Sequence, residues 1–453
     1  MKKIRNLKKL LTPINLKELG IKKSVIKQSN IYIYFVFLIL CIFYAYEFFL
    51  RISPAVLISS LLHQYHTDAF GIASFSSAYF AGYLLMQLPA GFLLDSYGFK
   101  KVISAALLTC ILGTLIFTLS HHVILGLFGR FILGCGSAFA FIGAICFIRN
   151  FFQENAFAIL IALVISVGTI AGAVGQVFAV NIIYYLSWHL TIDGMATWGV
   201  ILTVCILFVP SVYLIRPSRH RKKLKIALPL FFKNLFQLIK IKSLWLNGLI
   251  GGLLYLPTSV IAATWGVEFF KDTFHEDTNS GSIAITALFM GWAFGGPVFS
   301  LLAARFKLEK YLISISALTA AVLIFILFSE KNVSVFMLSG ALFIFGFLSS
   351  AQILIWRFFS KIIHGYSREK HLIGLASALT NLIIMLFIAV ADLIMGALIN
   401  FLSHHESHAA LQALYSVNGS DLKLVFYLLP SSMVLASVLV LWLPDRIFSP
   451  IRP

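Results

Sequence analysis

Twelve long apolar runs constrain what this chain can fold into more than any other feature. Each has about 20 residues or more, the length that an α-helix needs to cross about 30 Å of hydrocarbon. Apolar residues make up 60% of the chain and charged residues only 11%, whereas soluble domains are about 25% charged. The sequence therefore predicts an all-α membrane protein with twelve transmembrane helices, named spans 1 to 12. The predicted spans are residues 31–60, 69–94, 102–120, 123–149, 157–185, 194–216, 246–269, 282–304, 311–329, 333–359, 372–400 and 422–443.

The Lys and Arg residues lie almost entirely on one side of these spans. Of the 35, 30 fall in the two tails and in alternate loops, and only Lys271, Lys331 and Lys423 fall in loops of the opposite side. Cytoplasmic loops carry an excess of Lys and Arg, so both termini are predicted to be cytoplasmic, in a multi-pass protein of the inner or plasma membrane. The net charge of +18 is thus a signal of topology, and nucleic acid is not a predicted partner.

One long basic connection divides the chain into two halves. Residues 217–245 are predicted to be a cytoplasmic linker, and its stretch LPLFFKNLFQLIKIK to be an amphipathic helix at the membrane surface. The linker separates an N-terminal six-helix bundle, residues 31–216, from a C-terminal one, residues 246–443. Cytoplasmic tails are predicted at residues 1–30 and 444–453. Two bundles around a site at the midplane are typical of secondary transporters.

A glycine-rich motif, GFLLDSYGFKK, follows span 2 and contains Gly91, Asp95, Gly98, Lys100 and Lys101. It resembles the signature of the major facilitator superfamily, in the expected loop between spans 2 and 3. We expect Gly91 to let span 2 approach a neighbour, Gly98 to permit a tight turn, Asp95 to latch the outward-open state, and the two lysines to hold the loop on the cytoplasmic side. The resemblance implies the major facilitator fold and a transporter with no enzymatic activity.

Two further stretches support this resemblance. Span 4 reads GRFILGCG from Gly129, which is similar to an arginine-and-glycine pattern of the family and includes Arg130. Residues 296–306, GPVFSLLAARF, look like a second-half copy of the first-half motif that keeps a basic residue, Arg305, and has lost its aspartate. The resemblance therefore covers nearly the whole chain from Asn30 onward.

Three charged residues lie deep inside predicted spans 1 and 4, where each costs at least about 2.5–3.5 kcal/mol and usually has a function. Glu47 and Arg51 are spaced i, i+4 on span 1, and the helical rise puts Glu47 and Arg130 at similar depths, roughly 24 and 20 Å above the cytoplasmic edge. In the superfamily, spans 1 and 4 line the central cavity. We therefore expect Glu47 to bind the coupling proton with Arg130 as its partner. The alternative is that Glu47 and Arg51 only neutralise each other.

Arg51 is the candidate for binding an anionic group of the substrate, because a guanidinium matches a carboxylate or phosphate. The segment from Tyr46 to Val56 resembles the first span of the organic anion:cation symporter branch, which implies the same role for Arg51. Pro257 is expected to interrupt span 7, and Asp392 to reach interfacial water. Polar and aromatic residues inside other spans are further candidate substrate contacts, namely Tyr46, Tyr83, Gln87, Gln176, Tyr255, Thr258, Trp265, Gln352, Trp356 and Asn381.

These features predict a secondary active transporter that imports a small organic anion with protons, such as a sugar acid, a carboxylate or an amino-acid-like compound. The alternative is a proton antiporter that exports a drug, a metabolite or a siderophore. A receptor or scaffold on the same fold would not need the three buried charges. No metal site and no cofactor are predicted, because the five cysteines lack paired spacing and the proton gradient is the expected energy source. We expect a monomer in the lipid bilayer that binds a small, anionic molecule.

Overall fold

Helices dominate the computed structural model, which describes residues 23–152, 154–185, 187–210, 224–274, 277–330, 333–358, 362, 370–406 and 424–443. Twelve stretches in these ranges are helical, long and apolar enough to cross a membrane, which confirms the predicted number of spans. The helices of spans 1 to 6 are Lys23–Ile52, Ala69–Tyr97, Phe99–Leu119, Val123–Phe151, Glu154–Tyr185 and Trp188–Phe208. Those of spans 7 to 12 begin with Lys242–Ser259, Thr278–Phe306, Glu309–Ser329, Val335–Ser349, Lys370–Glu406 and Leu428–Leu439.

Span 6 lies earlier in the chain than residues 194–216. Its helix begins at Trp188 because the Ser187 hydroxyl accepts a hydrogen bond from the Leu190 N–H at 3.2 Å, which caps the first turn. The helix ends at Phe208, two residues before Pro210, a residue that cannot continue a regular helix. The capping residue Ser187 therefore marks the start of span 6 better than the hydropathy of the segment does.

The two halves use the same cap at the same place. Asp68 precedes span 2 and accepts the Gly71 N–H at 2.8 Å, and Asp277 precedes span 8 and accepts the Ser280 N–H at 2.8 Å. The Ser280 bonds favour the charged carboxylate of Asp277 and lower its pKa below its usual range. The same type of cap at the start of span 2 and of span 8 is expected if the second half of the chain is a copy of the first.

Span 1 is interrupted inside the membrane. Its helix stops at Ile52, continues as a 3₁₀ turn over Ser53–Val56, and is followed by a separate short helix, Ile58–Tyr65. Pro54 has no N–H, so the Leu50 carbonyl loses its helical donor. The Ser53 hydroxyl donates to that carbonyl at 3.0 Å. The single span predicted over residues 31–60 is therefore a helix with a built-in break.

Span 7 is also irregular near the expected proline. Three residues after Pro257 the helix widens into a π-helical turn over Val260–Trp265, and a further helix, Gly266–Phe274, completes the span. Span 10 has a 3₁₀ segment over Ser350–Leu354. Such deviations inside helices are frequent at functional sites.

The helices pack in two bundles that repeat one arrangement. Span 1 packs on span 5, span 2 on span 4 and span 3 on span 6, and the same pattern holds for spans 7 and 11, 8 and 10, and 9 and 12. The bundles meet along two seams, where span 2 contacts span 11 and span 5 contacts span 8. Part of the linker is helical, over Leu224–Ile239, and lies against spans 7 and 11.

Glycines set the closest helix crossings in equivalent places of the two bundles. A Cβ on Gly134 would lie 1.9 Å from the Tyr79 carbonyl oxygen, where span 4 crosses span 2. A Cβ on Gly346 would lie 1.9 Å from the Leu288 carbonyl oxygen, where span 10 crosses span 8. Small residues let backbones approach closely in membranes, where packing drives helix association.

We predict that Gly346→Ala lowers the thermal unfolding temperature of the purified protein in detergent, because the added methyl group must push spans 8 and 10 apart. Overpacking of this kind costs about 1–3 kcal/mol. Gly340→Ala is the matched control in the same helix, since no atom lies within 4 Å of its Cβ position. Equal unfolding temperatures for the two variants would contradict the close crossing.

Candidate functional site

A central cavity lies between the two bundles, and its empty volume of about 720 Å³ includes space open to solvent. Spans 1, 2, 4 and 5 of the first half and spans 7, 8, 10 and 11 of the second half all contribute to it. The lining consists of Tyr44, Phe48, Arg51, Tyr83, Phe141, Ile165, Thr169, Tyr255, Thr258, Phe289, Trp292, Gln352, Trp356, Asn381, Ile384 and Met385.

Seven of the predicted substrate contacts lie in this lining: Arg51, Tyr83, Tyr255, Thr258, Gln352, Trp356 and Asn381. Four others, Tyr46, Gln87, Gln176 and Trp265, do not. The Tyr46 hydroxyl lies 2.9 Å from where a Cβ on Gly199 would be, so this side chain points towards span 6. The Gln176 amide donates to the Ala262 carbonyl of span 7 at 2.6 Å. Gln87 and Trp265 are buried outside the cavity.

The sequence reasoning missed the aromatic wall that span 1 contributes. Tyr44, Phe48 and Arg51 are spaced i, i+4, i+7 and so share one helix face, and that spacing, counted back from Arg51, could have identified both rings. Span 5 accommodates them with glycines. Cβ atoms on Gly168 and Gly172 would lie 2.4 and 2.6 Å from the rings of Tyr44 and Phe48. The glycines of span 5 therefore set the position of this wall.

Glu47 and Arg51 form a buried ion pair beside the cavity. Arg51 Nε lies 3.7 Å from Glu47 Oε1, and the Tyr79 hydroxyl donates to the same oxygen at 2.5 Å. The side chain of Glu47 is 1% exposed and that of Arg51 7%. The Arg51 guanidinium also lies 4.2 Å over the Phe48 ring. Arg51 reaches the cavity, whereas Glu47 is held behind it.

Arg130 makes a different set of contacts from the predicted pair with Glu47. Its guanidinium donates to the carbonyls of Leu50 at 2.9 Å, Arg51 at 3.3 Å and Phe75 at 3.3 Å. The ion pairs found among the described residues do not include Glu47 with Arg130. Pro54 leaves the Leu50 carbonyl without a backbone donor, and Arg130 joins the Ser53 hydroxyl in donating to it. Such donors matter because a buried carbonyl without one is costly in a membrane. The helical rise predicts the depth of Arg130 in the membrane, but it does not predict which groups its guanidinium contacts.

The signature loop fastens span 3 to the end of span 6. Gly98 has φ +89°, which a glycine adopts without strain, and it joins the helices of spans 2 and 3. Lys100 Nζ donates to the carbonyls of Leu207 at 2.5 Å and Val209 at 2.9 Å. A cation at a helix C-terminus is stabilised by the helix dipole.

The close approach that was expected at Gly91 is not found. No atom lies within 4 Å of a Cβ on Gly91, so the close approach expected there is made by Gly134 instead. The side chain of Asp95 lies outside the described residues. Lys101 is exposed, and the exposed Arg305 guanidinium lies 5.5 Å over the Phe306 ring.

The predicted outer side of the cavity is closed where the bundles meet. The 3₁₀ turn Ser53–Val56 of span 1 packs against the wide turn Val260–Trp265 of span 7, to which Gln176 bonds. The Ser77 hydroxyl donates to the Ala389 carbonyl at 2.9 Å and so joins spans 2 and 11. These two turns, with the outer contact of span 2 on span 11, are named the outer gate.

Twelve apolar helices in two bundles around a central cavity define a multi-pass membrane protein of the transporter class. The family model of the Major Facilitator Superfamily matches residues 33–392. The chain belongs to this superfamily, and it is accordingly a transporter and not an enzyme.

The chain is 26% identical over 252 residues to the uncharacterized transporter YybO of Bacillus subtilis (strain 168). That stretch spans 52% of this chain and 57% of the relative. Among solved structures, a bacterial homologue of the human lysosomal transporter Spinster, inward-facing and occupied, matches with a TM-score of 0.69 at 15% identity, covering 92% of this chain and 98% of the other. A D-xylose-proton symporter matches with a TM-score of 0.69 at 13% identity, covering 91% and 98%. These two likenesses show the fold.

We predict that Arg130→Lys lowers the thermal unfolding temperature, because an ammonium on a single stem cannot reproduce the three carbonyl contacts of the guanidinium fork. A hydrogen bond from a charged group contributes about 1.5–3 kcal/mol, and the lysine would lose at least one of them. Arg149→Lys, at the exposed end of the same span, is the control and should leave the unfolding temperature unchanged. If both variants behave alike, Arg130 does not hold the break in span 1.

Proposed function

We propose that this protein is a secondary active transporter that imports a small organic anion together with protons, by alternating access. The observation that carries the proposal is the charge of the cavity. Its lining, as far as the structure describes it, contains Arg51 and no carboxylate. A guanidinium in a site of low dielectric attracts a carboxylate or phosphate group and can bind it with two parallel hydrogen bonds.

The rest of the lining suits a substrate with a flat or ring-shaped body. Half of the sixteen lining residues are aromatic, and such rings contact sugar rings, aryl groups or alkyl surfaces through their faces. Thr258, Gln352 and Asn381 add hydrogen-bonding groups from the second half. These features fit a sugar acid, an aromatic or cyclic carboxylate, or an amino-acid-like compound.

Arg51 contacts Glu47 and also reaches the cavity, and this double role supplies a route to proton coupling. An anion that binds Arg51 competes with Glu47 for the same guanidinium. A buried carboxylate that loses its cationic partner is strongly destabilised, and binding a proton removes its charge. Anion and proton are then taken up together, and the proton gradient supplies the energy.

The competing function is proton antiport that exports a drug, a metabolite or a siderophore. A cationic drug would have to approach the Arg51 guanidinium, and the described part of the lining offers no carboxylate to pair with the drug, which is electrostatically unfavourable. The cavity therefore favours the anion, and the two functions differ in which compounds bind.

We predict that organic anions raise the thermal unfolding temperature of the purified protein, whereas neutral sugars and cationic drugs do not. A ligand at 100 times its Kd stabilises by about 2.7 kcal/mol. The effect should disappear in the double variant Glu47→Gln/Arg51→Gln, which removes the pair without leaving one charge buried alone. Arg149→Gln is the control for an exposed arginine. Stabilisation by cations alone would reverse the proposal in favour of export.

We predict that Glu47→Gln abolishes proton-driven accumulation of the stabilising anion in proteoliposomes but retains exchange of that anion across the membrane. The amide keeps the shape of the side chain and can accept from Tyr79, but it cannot bind and release a proton. Uptake of labelled anion driven by an acidic exterior measures coupling, and counterflow without a gradient measures exchange. Accumulation at the wild-type level would refute the role of Glu47.

A further inference from the structure

Asp392 of span 11 is a buried carboxylate in the outer gate. It was expected to reach interfacial water, but it is 1% exposed. The Ser77–Ala389 hydrogen bond closes the seam between spans 2 and 11 one turn before it. One turn after it, a Cβ on Gly396 would lie 2.4 Å from the Ala73 side chain. Contacts between the two bundles therefore seal Asp392 from both sides.

The groups around this carboxylate are uncharged. Thr264 of span 7 donates to Asp392 Oδ2 at 3.3 Å, and Oδ1 has no hydrogen-bond partner. The Ser76 hydroxyl of span 2 and the Trp265 indole of span 7 also lie against the side chain. These are the groups that face Asp392 from the described parts of the two spans packed on it, and none is a Lys, Arg, His, Asp or Glu.

A sealed site without a cation strongly favours the neutral carboxylic acid over the carboxylate, because an unpaired buried charge is far costlier than a buried neutral acid. Parting of spans 2 and 11 would admit water and allow the side chain to ionise. We propose that Asp392 is a second proton-binding site, in which closure of the outer gate requires a proton on Asp392 and opening releases it.

This inference rests on the alternating access of the proposed function, and it requires neither an anionic substrate nor proton binding at Glu47. The two carboxylates differ in position. Glu47 lies beside the cavity with Arg51 as its partner, whereas Asp392 lies in the gate, where the moving surfaces meet. An acidic exterior should therefore favour the closed outer gate even when no substrate is present.

The test measures how accessible the outer gate is at different external pH values. Ala55, 1% exposed in the 3₁₀ turn of the gate, is replaced by cysteine (Ala55→Cys) in a chain whose five native cysteines are alanine. The rate of alkylation by a membrane-impermeant maleimide is measured in intact membranes from about pH 5.5 to about pH 8. Each rate is divided by that of His121→Cys, an exposed position, which corrects for the pH dependence of the thiol itself.

With Asp392 present, the corrected rate should rise several-fold with pH, because ionisation opens the gate. Asp392→Asn should give a low rate at every pH, and Asp392→Glu should restore the response. Asp392→Ser replaces Asp392→Asn if the asparagine variant does not reach the membrane. A response that persists without an acid at position 392, or no response with Asp392 present, overturns the inference. The alkylation rates do not measure anion binding or proton-driven accumulation through Glu47. The experiments on the proposed function can therefore succeed or fail independently of this test.

Discussion

A backbone carbonyl inside a membrane must find a donor within the protein, and the interior of this transporter depends on how one such carbonyl is satisfied. Pro54 removes the donor of Leu50 in the middle of span 1. The Ser53 hydroxyl replaces it from within span 1 and Arg130 adds a second donor from span 4, so the break is also held to a neighbouring helix. Because the break is fixed, the face of span 1 that carries Arg51 is directed into the cavity, and the turn after it meets span 7.

The two halves share their scaffold but not their chemistry. Equivalent aspartates cap spans 2 and 8, and equivalent glycines bring span 4 onto span 2 and span 10 onto span 8. The buried pair of Glu47 and Arg51, however, belongs to the first half. The second half lines the cavity with aromatic and amide or hydroxyl groups and carries its own buried acid, Asp392, outside the cavity. One half thus supplies the charged group of the cavity lining, and the other supplies neutral polar and aromatic surface.

The sequence was sufficient for the features that depend on composition and local order. Long apolar runs and the distribution of Lys and Arg are read residue by residue, so the number of spans was predicted correctly. Gly98 lies in the turn after span 2 with a positive φ, a local feature that a glycine in a motif can indicate. Arg51 lies in the cavity lining, and a charge inside a span has few other places to go.

What the sequence could not give was the rotation of each helix and the partner it meets. The rise per residue fixes depth, so Arg130 was assigned to the right layer, but only packing decides that it meets the carbonyls of span 1 and not Glu47. The same limit put Tyr46 in the cavity in place of Tyr44, since neighbouring positions on a helix differ by about 100°. Gln176 and Trp265 lie on cavity-forming spans but in the gate: Trp265 belongs to the wide turn of span 7, and Gln176 donates to the Ala262 carbonyl of that turn.

Electrostatics also explains why substrate and protons would move together in the proposed cycle. The pair of Glu47 and Arg51 is neutral, and a sealed Asp392 is neutral only when it carries a proton. An anion that arrived at Arg51 without a proton would leave a net negative charge in the low-dielectric centre while the bundles move, which is strongly unfavourable. A proton on Glu47 restores neutrality there, and a proton on Asp392 permits the gate to close. Coupling then follows from the requirement that the closed protein contain no uncompensated charge, with no need for a direct contact between the two carboxylates.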